Sequence, residues 1–390
     1  MFERYSFSLP TQVEFQAGIA CEAASMIKNT VEGKRVFLVT DPGLMQAGIV
    51  EPVLDGLKSN GYETELFDRV QPNPKDADCE AGGKLIREFA ADIVLAVGGG
   101  SVLDAAKAIA MLHTHEGRLA QYEGRGKVQN SVTPLVTVPT TAGTGSEVTR
   151  SAVITDTGRK FKMTIKDIRM APRLAIVDPQ VTYSLPPAIA ASTGMDAFVH
   201  AIEAFTCKAA SPFSDAWARE AMRRIFPNLR EAAVNGTKKA RDEMMLGSLM
   251  AGVAFSHADV AAVHCLAEAL GGLYDTPHGV ANSIFLPIVT EFNVPANPAK
   301  HAEAARICGL PVEGLDDLAA SAALVAELRR LAHDIGIPQL KDVPGVDRAD
   351  FGRLAEASFV NGSTPDNCRD VSEEDYLGLL EKAFASGTPA

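Results

Sequence analysis

The sequence predicts an α/β domain built on a doubly wound parallel sheet, followed by an all-α domain. In the first half of the chain, short β-branched apolar runs alternate with helical patterns, which is typical of a parallel sheet covered by helices on both faces. After about residue 187, long helical patterns rich in Ala, Leu and Glu continue without a strong strand signal. The 390 residues also exceed one ordinary hydrophobic core. We therefore expect two domains, residues 1–186 and residues 187–390.

The elements of the first domain follow one another as strand, turn and helix. Residues 35–40, RVFLVT, predict a strand, and the pattern after the DPG turn predicts a helix from about Leu44 to Leu57. The further predicted strands are ETELFD at 63–68, DIVLAV at 92–97, PLVTVPT at 134–140 and LAIVDP at 174–179. A helix from about Asp78 to Ala91 and another from Val102 onward complete the alternation.

Composition and charge exclude several classes of protein. No run of eighteen apolar residues predicts a membrane span, and the start, MFERYSFSLP, lacks the features of a signal peptide. The six cysteines are scattered without a CxxC pair, which favours free thiols in a reducing compartment over disulfides or a thiolate zinc site. The net charge of −12 comes with no dense basic stripe. We expect a soluble, cytoplasmic protein that binds neither nucleic acid nor membrane.

Two glycine-rich segments predict a binding site for a nucleotide. AVGGGSVLDAAK places Gly99, Gly100 and Ser101 between a buried strand and a helix, where backbone N–H groups and the helix dipole attract phosphate. PTTAGTGSE adds the hydroxyls of Thr140, Thr141 and Thr144 after the next strand, at the same sheet edge. The segments match neither GxGxxG nor the P-loop. A plain strand-to-helix turn capped by Ser101 is the alternative for the first of them.

Asp41 ends the first predicted strand and has two interpretations. An acidic side chain at this place can accept hydrogen bonds from both ribose hydroxyls of an adenosine and repel a 2′-phosphate, which would favour NAD over NADP. Asp before Pro-Gly is equally an ordinary turn residue. The residues alone leave these alternatives open.

The helical half carries polar residues at positions that should face inward. Asp196 and His200 lie four apart in DAFVHAIEAF, and His264 and Glu268 lie four apart in VAAVHCLAEAL, so each pair shares one apolar helix face. His278 follows in a Pro/Gly loop that opens the next helix. Burying such groups unpaired costs roughly 2–7 kcal/mol, so each needs a neighbouring side chain or a metal ion.

A metal ion bound by these side chains would have only nitrogen and oxygen ligands. Such a set suits Fe²⁺, Zn²⁺, Mn²⁺ or Co²⁺, and the ion would act as a Lewis acid toward an alcohol oxygen. The alternative is that no metal is bound and that these side chains are core residues hydrogen-bonded to their neighbours. Of the other histidines, His257 is predicted to share the face of His264 two turns away, where it either supports the ligands from outside or simply packs in the core. The remaining four lie in polar sequence and are predicted to be on the surface: His113, His115, His301 and His333.

Taken together, the motifs resemble those of the iron-containing (group III) alcohol dehydrogenases. The resemblance rests on GGGSVLDAAK, PTTAGTGSEVT, LAIVDP, STGMDAFVHAIEAF and TPHGVANSIFLP, in this order and at family-like spacing over nearly the whole chain. It implies the dehydroquinate synthase-like fold, with the active site in a cleft between the two domains. It also implies a homo-oligomer, a dimer or larger, and one divalent metal, usually iron. The residues that match the metal ligands of the family are Asp196, His200, His264 and His278.

The same resemblance assigns cofactor roles. The matching positions are Asp41, Asn73, Gly99, Gly100, Ser101, Thr140, Thr141, Thr144 and Lys162. Members that prefer NADP tend to carry Gly where this chain has Asp41, so NAD is the expected cofactor. One departure concerns Glu268, because many members have a second His at this position, lining the substrate pocket. We hypothesise that Glu268 relays a proton or orients His264 from outside the ligand set.

The sequence therefore predicts an NAD-dependent, metal-requiring dehydrogenase for a small primary alcohol or diol and its aldehyde, with Fe²⁺ favoured and Zn²⁺ allowed. Enzymatic alternatives on the same scaffold are a zinc polyol dehydrogenase of the glycerol type, a metal-independent reductase and a cyclase similar to dehydroquinate synthase. The four intact ligands argue against the metal-independent reductase. A nucleotide-sensing or filament-forming scaffold protein is the non-enzymatic alternative. The sequence does not identify the alcohol.

Overall fold

The computed structural model describes residues 5–385, and its first part is an α/β unit. The strands are β1 (Gln12–Phe15), β2 (Arg35–Val39), β3 (Glu63–Phe67), β4 (Ile93–Gly98), β5 (Gly124–Arg125), β6 (Leu135–Pro139), β7 (Ser151–Asp156), β8 (Phe161–Lys166) and β9 (Leu174–Val177). The helices are α1 (Ala23–Thr30), α2 (Pro42–Gln46), α3 (Glu51–Ser59), α4 (Asp76–Phe89) and α5 (Gly100–Thr114). Short 3₁₀ turns connect several of them.

Six strands form one parallel sheet in the order β1-β9-β6-β4-β2-β3. The chain passes from β2 outward to β3 and then returns to the other side of β2 to form β4, so the order reverses between β2 and β4. Open α/β sheets bind ligands at such a reversal, outside the carboxyl ends of the strands. The segments after β2 and β4 begin at Thr40 and Gly99, and they lie at that edge. The parallel, doubly wound architecture is confirmed.

Helices cover both faces of the six-stranded sheet. Along β2, Phe37 and Val39 belong to one buried cluster with residues of α4 and α5. Val36 and Leu38 point the other way, into a second cluster with residues of α1 and α3. A strand buried on both faces has no alternating polar residues, which is why RVFLV reads as a continuous apolar run.

The predicted helix from Leu44 to Leu57 is wrong in its extent. The structure has two helices here, because the chain turns at Gly48, whose φ of 69° is left-handed. The sequence pattern also overlooks the hairpin of β7 and β8, which pairs antiparallel and forms a three-stranded sheet with β5. These strands are half polar, so their apolar signal is weak.

The second part of the chain is helical within the described residues, as predicted. Its helices are α6 (Pro187–Thr206), α7 (Pro212–Val234), α8 (Lys238–His257), α9 (Ala262–Tyr274), α10 (His278–Asn293), α11 (Pro298–Ile307), α12 (Asp317–Asp334), α13 (Phe351–Phe359) and α14 (Glu373–Ala385). Helix α6 packs against α7, α8 and α10. Between residues 5 and 385, no single helix is long and apolar enough to cross a membrane; α8 and α9 meet that criterion only as a pair bent by 100°.

Contacts divide the chain into two compact units. One contains Ser8–Thr141 and Gly145–Ser184, and the other runs from Leu185 onward and includes Ala142–Thr144 and an N-terminal segment that ends at Phe7. The first unit carries the sheet and the second carries α6 to α14.

A buried lysine ties α5 to the segment after β6. The Lys107 Nζ donates to Ser146 Oγ at 2.7 Å, Thr149 Oγ1 at 2.8 Å and the Ser151 carbonyl at 2.8 Å. Asp104 Oδ1 lies 3.7 Å from the same ammonium and also accepts from Ser146 Oγ at 2.6 Å. Burial lowers the pKa of Lys107 to about 8, although Asp104 opposes that shift.

We expect Lys107→Met to lower the free energy of unfolding by about 3–5 kcal/mol, because the Asp104 charge and three acceptors lose their partner. Urea denaturation of the purified variant measures this loss. The matched control is Lys84→Met at an exposed site on α4, where we expect a change within about 0.5 kcal/mol. Equal stability of the two variants would show that Lys107 makes no net contribution to the free energy of unfolding.

Candidate metal centre and nucleotide-binding edge

Four side chains of the helical unit converge on one small volume. Each of Asp196, His200, His264 and His278 offers one ligand atom, and these atoms all lie within 4.8 Å of one another. Asp196 and His200 share a face of α6, His264 lies in the first turn of α9, and His278 opens α10. The structure therefore brings together all four residues that the sequence selects as candidate metal ligands.

Close helix packing places His278 beside α6. A Cβ added to the neighbouring Gly279 would lie 2.5 Å from the carbonyl oxygen of Ser192 and 2.8 Å from its carbonyl carbon. No side chain can occupy that space without displacing the backbone, so glycine lets the first turn of α10 approach α6. As a result His278 Nε2 lies 3.6 Å from Asp196 Oδ1.

The electrostatics of the group favour an ionised Asp196 beside a neutral His200. Burial alone would raise the pKa of Asp196, but His200, His278, His264 and the amide of Asn282 together lower it. Burial lowers the pKa of His200 to about 4, against the opposing effect of Asp196. A neutral imidazole and an ionised carboxylate are the forms that bind metal ions.

The buried nitrogens of the group also need a partner. Within residues 5–385, neither His200 Nδ1 nor His264 Nε2 has a hydrogen-bond partner. Two ligands at about 2.0–2.2 Å from one ion lie at most about 4.4 Å apart, so shifts of a few tenths of an ångström would let all four atoms share it. One carboxylate and three imidazoles fit a divalent cation such as Fe²⁺ or Zn²⁺.

The sequence motifs do not single out two polar residues that support this group. The buried Glu203 accepts a hydrogen bond from His264 Nδ1 at 2.6 Å. The buried Asn282 donates from Nδ2 to Asp196 Oδ1 at 2.6 Å and lies 3.1 Å from His278 Nε2. The helical period contains the signal, because Glu203 lies seven residues after Asp196 and Asn282 lies four after His278.

Glu268 does not orient His264 by a hydrogen bond in this structure. The two ring nitrogens of His264 are accounted for by Glu203 at Nδ1 and by the candidate metal position at Nε2. The partly exposed Glu268 carboxylate accepts from Asn361 Nδ2 at 2.6 Å instead. The orienting alternative is therefore corrected in favour of Glu203, and the proton relay remains a prediction.

Three of the other histidines also depart from expectation. His257 ends α8, the chain bends by 100° before α9, and its ring stacks on Phe7 with 4.2 Å between centroids, so it does not continue the face of His264.

His115 and His301 are buried, not on the surface as predicted. His115 Nε2 accepts from the backbone N–H of Asn130, and His301 Nδ1 lies 2.7 Å from the carbonyl of Asn297. Both are satisfied core residues, which polar sequence neighbours conceal.

The glycine segments meet at the carboxyl edge of the parallel sheet. Gly98 pairs with Pro139 across β4 and β6, and the backbone N–H of Thr140 donates to the Gly98 carbonyl at 3.0 Å. A Cβ on Gly99 would lie 3.2 Å from Thr141 Cγ2, so the two segments are in contact. Gly98 itself serves packing, because a Cβ there would lie 2.4 Å from Val102 Cβ.

The first turn of α5 suits an anion. Gly99, not Ser101, is its N-cap residue, and no side chain caps this end of the helix. The N-terminal N–H groups of this fifteen-residue helix are therefore left to a ligand or solvent. The alternative of a turn capped by Ser101 is not what the structure shows.

Asp41 caps a helix in the structure. Its Oδ1 accepts from the Leu44 N–H at 3.0 Å at the start of α2, which leaves Oδ2 for another partner.

Two further residues predicted to bind the cofactor contact each other. Lys162 Nζ donates to Asn73 Oδ1 at 2.7 Å, and both residues are buried. Asn73 has a left-handed φ of 50°, a conformation that asparagine tolerates. Thr144 belongs to the helical unit, unlike the other residues predicted to bind the cofactor.

Both parts of the chain match models of one protein family. Residues 10–179 match the model described as "Iron-containing alcohol dehydrogenase". Residues 190–384 match the model described as "Fe-containing alcohol dehydrogenase family, C-terminal".

Individual relatives are similar over nearly their full length. A 1,3-propanediol dehydrogenase of Klebsiella pneumoniae is 44% identical over 90% of this chain and 92% of its own. An NAD-dependent methanol dehydrogenase of Bacillus methanolicus is 35% identical over 97% of this chain and 100% of its own. The crystal structure of a 1,3-propanediol oxidoreductase is similar with a TM-score of 0.94, at 41% identity, over 98% of this chain and 100% of that chain.

Proposed function

The chain belongs to the iron-containing alcohol dehydrogenase family, and from this premise we propose an NAD-dependent, metal-requiring enzyme that interconverts a small primary alcohol or diol and its aldehyde. The observation that carries the proposal is the convergence of Asp196, His200, His264 and His278 within 4.8 Å. The names of two relatives, a 1,3-propanediol dehydrogenase and an NAD-dependent methanol dehydrogenase, support the substrate class and the cofactor.

We assign the cofactor to residues 1–186 and the metal to residues 187–390. The proposed NAD contacts are the cap-free first turn of α5, the neighbouring threonines and the Asn73–Lys162 pair, with Asp41 Oδ2 on the adenosine ribose. The strand reversal between β2 and β4 supports this placement for Asp41 and Gly99. Asp196 and the three imidazoles would hold Fe²⁺, with Zn²⁺ as the alternative ion.

The net reaction is an alcohol plus NAD⁺ giving an aldehyde, NADH and one proton. The metal, when bound, supplies Lewis acidity that lowers the pKa of an alcohol hydroxyl. The nicotinamide, when bound, would accept the carbon-bound hydrogen as hydride, and the hydroxyl proton would leave to solvent. We propose that Glu268 carries that proton, because its carboxylate lies one helical turn after His264 and is partly exposed.

Glu268→Gln should lower turnover by at least about 10²-fold and change the pH profile, since an amide does not act as a proton acceptor or donor in acid–base catalysis near neutral pH. Steady-state kinetics over a range of pH, with wild type in parallel, measures both effects. The control is Glu356→Gln on α13, an exposed glutamate for which we expect wild-type kinetics. Unchanged turnover and pH profile in Glu268→Gln would exclude the relay.

The proposed function is tested on protein purified anaerobically and analysed for bound metals. We expect one divalent ion per chain and oxidation of NADH with small aldehydes, faster than with NADPH. A preference for glycerol with zinc bound would indicate the polyol alternative. Binding of NAD without turnover over a broad panel, even after loading with Fe²⁺, would contradict an enzyme and favour the scaffold alternative.

We further propose a cytoplasmic homo-oligomer, a dimer or larger. The free thiols support a reducing compartment, since all six cysteines of the chain are unpaired. The family resemblance supports the oligomer. Light scattering of the purified protein measures its mass, and the mass of a single chain, 41.3 kDa, would contradict the oligomer.

A further inference from the structure

Glu203 is a buried carboxylate that accepts three hydrogen bonds. It lies on α6 between the ligand-bearing stretch and the end of the helix, and it is 3% exposed. Its Oε2 accepts from the Ala261 N–H at 2.9 Å and from His264 Nδ1 at 2.6 Å. Its Oε1 accepts from the Val263 N–H at 2.8 Å. All three donors belong to the first turn of α9 or the residue before it.

The contact with His264 selects one form of the imidazole ring. A carboxylate only accepts hydrogen bonds, so the Nδ1 of His264 carries the proton. In the neutral ring the lone pair then lies on Nε2, which is buried and has no hydrogen-bond partner within residues 5–385. This tautomer is the one that can donate an electron pair from Nε2 to a metal ion.

The two backbone contacts hold the helix that carries this ring. No side chain of its own segment caps α9, and the N-cap residue Ala261 cannot supply an acceptor. Glu203, which belongs to α6, caps α9 instead by accepting these hydrogen bonds. Its negative charge lies at the positive end of the α9 dipole. Helix α6 thus carries two proposed ligands, Asp196 and His200, and also fixes the position of the third.

We propose that Glu203 is a positioning residue of the metal centre: it sets the tautomer of His264 and locks the start of α9 against α6, so that the site is preorganised for a divalent cation that binds imidazole. The inference rests on the proposed metal site. Outer partners of histidine ligands are worth about 10–100-fold in metal affinity. Glu203 therefore determines how tightly the ion is held without touching it.

The test compares the Zn²⁺ affinity of two variants with that of wild type. Glu203→Gln keeps the size of the side chain but leaves one acceptor oxygen for three donors and removes the charge. We expect its dissociation constant for Zn²⁺, measured by competition with a chelator on metal-free protein, to rise about 10-fold or more.

The control is Asp178→Asn, because Asp178 is also buried and accepts from three backbone N–H groups, those of Gly18, Ala20 and Gln180. We expect a change of less than about threefold there.

The outcomes separate this inference from the proposed function. Equal Zn²⁺ affinity of Glu203→Gln and Asp178→Asn would overturn the role of Glu203 while leaving the metal site intact. Failure of wild type to bind Zn²⁺ or Fe²⁺ would instead contradict the proposed function.

A second measurement uses the wild-type protein and therefore does not depend on whether a Glu203 variant folds. In wild-type, metal-free protein labelled with ¹⁵N-histidine, the His264 signals, identified by their loss in His264→Ala, should show a protonated Nδ1. A ring protonated at Nε2 and not at Nδ1 would overturn the proposal.

Discussion

His264→Ala is expected to lose the bound metal and at least about 10³-fold in turnover. The substitution leaves only Asp196, His200 and His278 as proposed ligands and opens a gap at the first turn of α9. Lewis-acid stabilisation is worth several kcal/mol, and each 1.4 kcal/mol is a factor of ten in rate, so about three orders of magnitude follow. Metal content by elemental analysis and kcat with a small aldehyde measure the two losses.

A matched control distinguishes the loss of the metal site from a general effect of removing a histidine ring. His257→Ala removes a ring that lies in the same helical unit, stacks on Phe7 and contacts the Val253 carbonyl through Nδ1 at 2.7 Å. We expect this variant to retain its metal and most of its turnover. Retention of metal and activity by His264→Ala would show that the four side chains form no metal centre.

Asp41→Gly is expected to shift cofactor preference toward NADP by about 10²-fold. The negative carboxylate at the end of β2 would repel a 2′-phosphate, and glycine removes that charge. The helix should survive, since glycine is accepted at N-cap positions with a loss of only a few tenths of a kcal/mol. The ratio of kcat/KM for NADPH to that for NADH measures the shift.

The control for Asp41→Gly is another helix cap of the same type. Asp316 caps α12 by accepting from the Ala319 N–H at 2.8 Å, and Asp316→Gly should leave the cofactor ratio unchanged. An unchanged ratio in Asp41→Gly would mean that Asp41 is a helix cap and no more. The structure already shows that capping role, so the kinetic ratio decides whether a second role exists.

Features with a strong period were predictable from the sequence. The buried strands of the parallel sheet are continuous apolar runs, and three of the four candidate ligands stand out as polar residues on apolar helix faces. Their convergence could be expected only from family resemblance, because three helices and a glycine contact bring them together. No local pattern records that Gly279 packs on the Ser192 carbonyl.

Features that depend on tertiary contacts were not predictable. The half-polar hairpin of β7 and β8 carries little apolar signal, and Gly48 interrupts a helix pattern that periodicity alone continues. His115 and His301 have polar sequence neighbours but are buried by distant segments. Glu203 was visible on the ligand face by spacing, but its three donors come from residues about sixty positions away.

The convergence of four side chains on one ion is tested most directly by anomalous diffraction. Crystals of protein loaded anaerobically with Fe²⁺ would be measured on both sides of the iron absorption edge. We expect a single peak within about 2.0–2.3 Å of one atom each from Asp196, His200, His264 and His278. An iron peak elsewhere, or four side chains that surround no ion, would contradict it.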